Sequence, residues 1–280
     1  MPLHPQAEAM LAMMAQMPAV DYQRVSAPEL RAMMDGASMF APGDEVGDVR
    51  ALSIDGPAGL LPLRLYTPAD AEASPLPVTL YFHGGGFVLG TLDTHDNICR
   101  CICARTGCAV LAVDYRRAPE APFPAAPEDA WAAWQWLRAA AASMGLDPER
   151  IAVAGDSAGG NLAAGVAARA SAAGAPPSHE LLLYPVVDAT EEEWAAPGAF
   201  LTPEMMRWFL RCYLHHPGDA QHPLASPLRH VDDAAGRRLT VVTAEYDILR
   251  DSGEAYAQAM REAGAQVELR RWPGQVHGFA

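Results

Sequence analysis

Basic side chains are scarce in this 280-residue chain: 20 Lys and Arg stand against 34 Asp and Glu, a formal net charge of −14 at pH 7. Nucleic acids and anionic membranes are gripped by clustered cations, so neither is expected as a partner. No apolar run approaches the roughly 20 residues that span a bilayer. The amino-terminal residues also lack the basic, then apolar, then small-residue order of a secretory signal, which makes a soluble, cytoplasmic protein the expectation. Cysteine is sparse and odd in number, five residues, which suits no closed disulfide framework. Three fall at Cys99, Cys101 and Cys103, with Cys108 close behind, but alternate residues on a helix face different ways and no His follows at zinc-ligand spacing. They are expected to pack as small hydrophobes and to hold no metal.

What the chain does have is enough apolar sequence, 50% of its residues, to bury one large core. Val46 to Ile54 and Leu60 to Tyr66 flank Gly56, Pro57 and Gly59, as in an antiparallel hairpin. Six short β-rich runs follow: Val78 to Phe82, Ala109 to Val113, Ile151 to Ala154, Leu181 to Tyr184, Thr240 to Ala244 and Val267 to Arg271. Helical patterns at Pro127 to Ala142, Asn161 to Ala173 and Ser252 to Ala263 separate several of them. Strand alternating with helix predicts an α/β fold, a mainly parallel eight-stranded sheet covered on both faces, with ligands beyond the carboxyl ends of the strands.

Two stretches break that rhythm. Met10, Met13, Met14 and Met17, then Leu30, Met33 and Met34, recur at helical spacing, which predicts two short amphipathic helices within residues 1–45. Their Met faces suit core packing or an adaptable pocket wall. Between Tyr184 and Leu239 the alternation lapses for too long to be a bare loop. Phe200 to Leu214, carrying Met205, Met206, Trp208, Phe209 and Tyr213, should be helical there. Residues 46–280 are thus expected to form one domain, with an insertion at about 188–225 that joins segment 1–45 as a helical cap. Phe87, Met205, Trp208 and Phe209 are candidate pocket residues, with packing the equal alternative for Trp208 and Phe209.

Gly155-Asp156-Ser157-Ala158-Gly159 ends a strand run and opens a helix pattern, which puts Ser157 on a sharp turn beside an amide-rich helix start. Taken alone, that pattern also fits an ordinary strand-to-helix turn. A serine nucleophile needs a base and an acid that orients it. His277 follows the last strand and Asp247 the one before, and the order Ser, Asp, His suits such a sheet. Asp251 is the rival acid, expected instead to cap the helix near Ser252; His4, His215, His216, His222 and His230 follow no strand end. His83-Gly84-Gly85-Gly86-Phe87 comes after another strand, and its consecutive glycines let backbone amides approach a ligand. A phosphate loop would need a Gly-Lys-Ser/Thr that is absent.

With His-Gly-Gly-Gly at 83–86 and Gly-Asp-Ser-Ala-Gly at 155–159, the chain resembles the hormone-sensitive-lipase-like branch of the α/β-hydrolase family from about Leu65 to Phe279. Asp114-Tyr115-Arg116, Ala118-Pro119-Glu120 and Tyr246-Asp247 through Asp251 are further markers. The resemblance implies hydrolysis of small-molecule carboxylic esters of short to medium chain length, without metal or cofactor. Ser157 would be the nucleophile, His277 the base and Asp247 its acid. The amides of Gly85, Gly86 and Ala158 would be the oxyanion donors, supported by His83, Gly84 and Asp156. An amidase or carbamate hydrolase would use the same residues. A non-catalytic receptor on this scaffold commonly loses the histidine, which is present here. Arg117 replaces a usual leucine and Ile248 a usual proline. The family normally continues into a helix that covers the sheet, whereas this sequence stops three residues after His277. A bare apolar sheet face, its cover by a homodimer and a weakly anchored His277 are the corresponding expectations.

Overall fold

A computed structural model describes residues 2–35, 43–70, 74–190, 193–195, 199–232 and 234–280, without the side chains of Met34 and Asp35. Parts of the expected cap, including the Met34 side chain and residues 36–42, 191–192 and 196–198, lie outside that description.

The β-hairpin, β1 (Asp48–Gly56) and β2 (Gly59–Thr67), forms one edge of an eight-stranded sheet. It is followed along the chain by β3 (Leu76–Phe82), β4 (Ala109–Val113), β5 (Leu146–Asp156), β6 (Glu180–Leu183), β7 (Arg238–Tyr246) and β8 (Gln266–Val276). The spatial order is β1-β2-β4-β3-β5-β6-β7-β8. β2 meets β4 antiparallel, and every pairing from β4 to β8 is parallel. The helices are α1 (Pro5–Met14), α2 (Ala27–Asp35), α3 (Asp96–Thr106), α4 (Ala125–Ala140), α5 (Ala158–Ala172), α6 (Pro203–Tyr213) and α7 (Arg250–Glu262).

Central strands buried on both faces explain the unbroken apolar runs, as in β4, where all five residues are buried. Leu80, Leu111, Val153 and Val241 point into the larger core with α4, α5 and α7. Tyr81, Val110, Ala154 and Val242 alternate to the other face, where Ile98, Cys99 and Cys103 of α3 cover them. Cys99 and Cys103 therefore do pack as core thiols, and all five cysteines are free. The expected bare sheet face is largely closed, with Leu183, Tyr184 and Val242 buried and Phe279 packed between Tyr184 and Trp272. Trp272 stays 42% exposed on the β8 edge. Met13, Met17 and Met33 are exposed rather than packed, and Ala7 is the buried residue of α1. Asp251 does not cap α7: Leu249 holds that position, and the Asp251 carboxylate pairs with Arg250. Among the described residues, no helix is long and apolar enough to cross a membrane.

No lysine occurs in the sequence, so every permanent side-chain cation is an arginine. The most deeply placed pair joins β6 to the entry of β7: Arg237 donates through Nε and Nη2 to the two oxygens of Glu180, each at 2.8 Å. Burial pushes the Glu180 carboxyl up and Arg237 pulls against it, with burial prevailing. Replacing Arg237 by Met strands a buried carboxylate and should cost about 3–5 kcal/mol. The double change Glu180→Leu with Arg237→Met should cost clearly less, and urea unfolding of the three proteins checks the order.

Candidate active site

The chain's chemically capable side chains meet where the parallel strands end. His83 follows β3, Ser157 follows β5, Asp247 follows β7 and His277 follows β8. Ser157 sits between strand and helix at φ 53°, ψ −116°, a conformation that costs about 1–3 kcal/mol in a non-glycine residue. Three backbone bonds hold it: Ser157 N–H donates to the Leu183 carbonyl at 2.8 Å, and Val186 and Asn161 N–H donate to the Ser157 carbonyl at 3.0 and 3.2 Å. A Cβ at Gly159 would overlap the carbonyl of Phe82, so the turn closes on β3 only with glycine there.

His277 Nε2 lies 2.9 Å from Ser157 Oγ, and His277 Nδ1 lies 2.7 Å from Asp247 Oδ2. With a carboxylate at Nδ1, that nitrogen carries the proton and Nε2 is free to accept from the serine hydroxyl. The other Asp247 oxygen accepts the Leu249 N–H at 3.0 Å, which fixes the carboxylate on its own loop. Asp247 is fully buried, and His277 and Ser157 are nearly so. The sequence therefore names all three members of this hydrogen-bonded chain. Ile248 is buried within the same loop, and the Tyr184 ring packs 4.8 Å from the His277 ring. The remaining cap histidines, 215, 216, 222 and 230, are all exposed.

Opposite Ser157 the glycine run turns back on itself. Gly85 and Gly86 adopt φ 116° and 60°, and Val88 and Leu89 both donate to the Gly85 carbonyl, at 3.0 and 2.7 Å. Among the described residues, the amides of Gly85 and Gly86 meet no acceptor, and Ala158, as the first residue of α5, has an N–H with no partner inside the helix. They are available for an oxyanion. Asp156 anchors this run from below: one oxygen accepts from Gly84 N–H at 2.8 Å and from the Tyr81 hydroxyl at 2.7 Å. Its other oxygen lies 3.4 Å from His95 Nε2. Burial raises the Asp156 carboxyl, but His95 and the Tyr81 hydroxyl outweigh it and hold the group below its ordinary value. Tyr81 and His95 were not singled out from the sequence; neither sits in a motif, and only the fold brings them to Asp156.

His83 is buried and engaged with its own loop. Its Nδ1 lies 2.8 Å from the Gly84 carbonyl, its ring stacks on Tyr115 at 4.3 Å, and the Tyr115 hydroxyl donates to its carbonyl. Arg117 Nη1 donates to the Gly90 carbonyl at 2.7 Å, a brace that the usual leucine would not make. Phe87 is buried at φ 63° and stacks face to face on Tyr213 of α6, centroids 3.8 Å apart. Phe209 lies against Gly86, where a Cβ would run into its ring. Met205 is partly buried on the same helix. Trp208 turns the other way: its indole N–H donates to Val25 O at 3.2 Å and its ring packs near Tyr22, so it fastens α6 to the amino-terminal segment. Among the described residues, no group of three His, Cys, Asp or Glu side chains is placed to hold a metal ion.

In fold and in site the molecule is an α/β hydrolase. A family model described as "alpha/beta hydrolase fold" matches residues 79–280. The carboxylic ester hydrolase LipN of Mycobacterium tuberculosis is 43% identical over 261 residues, 89% of this chain and 69% of that protein. An arylesterase of Saccharolobus solfataricus is 34% identical across 100% of this chain and 92% of its own length. Among solved structures, the ester-hydrolase EH1AB1 from the metagenome of Lake Arreo, complexed with a bipyridine phosphonate derivative, superposes with a TM-score of 0.92 at 37% identity. That match covers 99% of this chain and 91% of the other. The hyperthermophilic esterase of Pyrobaculum calidifontis gives 0.87 at 36% identity, covering 100% and 91%. The chain belongs to the hormone-sensitive-lipase-like family of α/β hydrolases.

Burial, with His95 second, lowers the His83 pKa from 6.5 to about 3. The unfolded chain thus takes up a proton below 6.5 that the folded protein refuses until about 3, so this contribution is complete above pH 6.5 and is lost as pH falls. Stability should drop by about 1.4 kcal/mol per pH unit from this group below that point. Urea unfolding of His83→Gln at pH 5 and pH 7 should give a shallower acid loss than wild type.

Proposed function

We propose that the chain hydrolyses short- to medium-chain carboxylic esters through Ser157, His277 and Asp247 and a covalent acyl-enzyme. That it is a carboxylic ester hydrolase follows its family; the finer reading rests on the unbroken hydrogen-bonded chain Ser157–His277–Asp247. Ser157 Oγ attacks the ester carbonyl while His277 Nε2 takes its proton, and Asp247 stabilises the imidazolium. The negative charge that develops on the carbonyl oxygen is met by the amides of Gly85, Gly86 and Ala158. The alcohol leaves with the proton from His277, and water then repeats the sequence on the acyl group.

A short to medium acyl chain is supported by the crowding at Gly86, where the Phe209 ring lies against the backbone and the next residue, Phe87, stacks on Tyr213. Residues 1–45 and about 188–225 act in this reading as a cap over the site, tied together through Trp208 to Val25 and Arg211 to Tyr22. The protein works in the cytoplasm on small-molecule esters without cofactor. A receptor on this scaffold would have no need of the intact chain of three.

Ser157→Ala should lower the hydrolysis of p-nitrophenyl butyrate by several orders of magnitude. Wild-type protein should be labelled at Ser157 by a fluorophosphonate, and a protein left unlabelled would be a receptor. Across p-nitrophenyl esters from acetate to palmitate, kcat/KM should peak at or below about ten carbons. A maximum at palmitate would overturn the chain-length reading.

A further inference from the structure

The amino-terminal helix α2 opens with a capping box. Ser26 Oγ lies 3.4 Å from Glu29 N, and Glu29 returns to the Ser26 N–H at 2.9 Å. Ala27 and Leu30 enter the main core and set the rotation of the helix. That rotation delivers Arg31 to the rim of the glycine run, 57 residues away in sequence. Arg31 Nε donates to the Val88 carbonyl at 2.8 Å, and Nη2 donates to the Ala118 carbonyl at 2.7 Å. The fork then closes on both oxygens of Glu120, at 2.7 and 2.9 Å. One guanidinium therefore bridges three segments, and its side chain is 20% exposed.

A peptide group is planar, so fixing its carbonyl also fixes the amide that follows. Holding Val88 O sets the Leu89 N–H, and that N–H bonds Gly85 O at 2.7 Å. Gly85 O shares its plane with Gly86 N–H, an amide left free to face an oxyanion. Two rigid planes thus relay the position of Arg31 to the Gly86 amide. Glycines at φ 116° and 60° make this run soft enough to need such a hold.

We propose that Arg31 is a positioning residue for ester hydrolysis, acting from the amino-terminal cap through Val88 and Gly85 to aim the Gly86 amide at the developing oxyanion. This deepens the function proposed above and rests on Gly86 serving as an oxyanion donor. Removing a true donor costs about 10²–10³ in kcat, and misaiming one costs less.

Arg31→Met, Arg31→Lys and Glu120→Gln would be compared with wild type by kcat and KM on p-nitrophenyl butyrate, by inhibition with an alkyl trifluoromethyl ketone, and by thermal melting. Ser157 Oγ adds to the ketone carbon, its proton passes to His277, and the former carbonyl oxygen becomes an oxyanion on the same amides. Arg31→Met should lower kcat about tenfold with KM within about twofold, and the ketone inhibition constant should rise in step with the fall in kcat/KM. Arg31→Lys should recover part of the loss, and Glu120→Gln, which leaves both carbonyl bonds of Arg31 in place, should lose less. If Arg31→Met does not fold, the Lys variant carries the comparison. An unchanged kcat, or a fall in kcat with no change in ketone affinity, would overturn the role of Arg31. A wild type that ignores the ketone, or a Ser157→Ala variant that keeps its activity, would instead overturn the serine mechanism.

Discussion

The site depends on a single close approach, the first turn of α5 against the carbonyl end of β3. Gly159 faces the Phe82 carbonyl with no room for a Cβ, and a Cβ at Gly155 would overlap the Gly159 carbonyl and meet the Phe82 carbonyl at 2.7 Å. That contact lets the chain leave β5 at Asp156 and enter a helix one residue after Ser157. The strain at Ser157 is carried by bonds to Leu183, Asn161 and Val186, so β6, the turn after it and α5 share its cost. The same contact places the glycine run after β3 beside the serine. Asp156 then makes one unit of the two turns by accepting from Gly84 and Tyr81.

The strand pattern and the three residues Ser157, Asp247 and His277 were legible because each obeys a local rule. Alternation of apolar runs with helical patterns marks a parallel sheet, and a polar residue directly after a strand marks its working edge. The limits of the strands were less legible. β5 extends back to Leu146 and β8 forward to Val276, beyond their apolar runs, because pairing with a neighbour rather than hydrophobicity decides where a strand stops. The bulge between Ala244 and Tyr246 lets β7 and β8 end together, with Asp247 and His277 in reach of each other. The Met spacing marks helix at Met10, Met13, Met14 and Met33 but not at Met17, which lies past the end of α1, and it says nothing about facing: Met13 and Met33 lie in solvent. Contacts made by long polar side chains across the sequence, such as Arg31 to Val88 or His95 to Asp156, left no periodic trace.

The amino-terminal segment and α6 share the main core through Ala27, Leu30, Met206, Phe209 and Tyr213, and directed bonds fix how they lie on it. Trp208 reaches Val25, Arg211 reaches Tyr22, and Arg31 reaches Val88 and Ala118. Bonds of this kind fix orientation more than they add stability. Phe87 is one apolar link between the glycine loop and α6, held at φ 63° while its ring lies flat on Tyr213.

An all-arginine complement of cations has a consequence on the alkaline side. Lysines would begin to lose charge near pH 10, whereas guanidinium groups keep theirs, so the ion pairs of this protein do not weaken as the medium becomes basic. The groups that yield instead are buried thiols, Cys99 and Cys103 foremost, and buried phenols. Tyr81, Tyr115, Tyr184 and Tyr213 are each held well above the ordinary value of 10.0 by burial, and Tyr256 is pushed up to about 12. Such phenols give their full stabilisation below pH 10 and surrender it above, when the unfolded chain can shed protons that the fold retains. Ionisation of buried thiols such as Cys99 and then of buried phenols, rather than the loss of ion pairs, erodes the fold as the medium becomes basic.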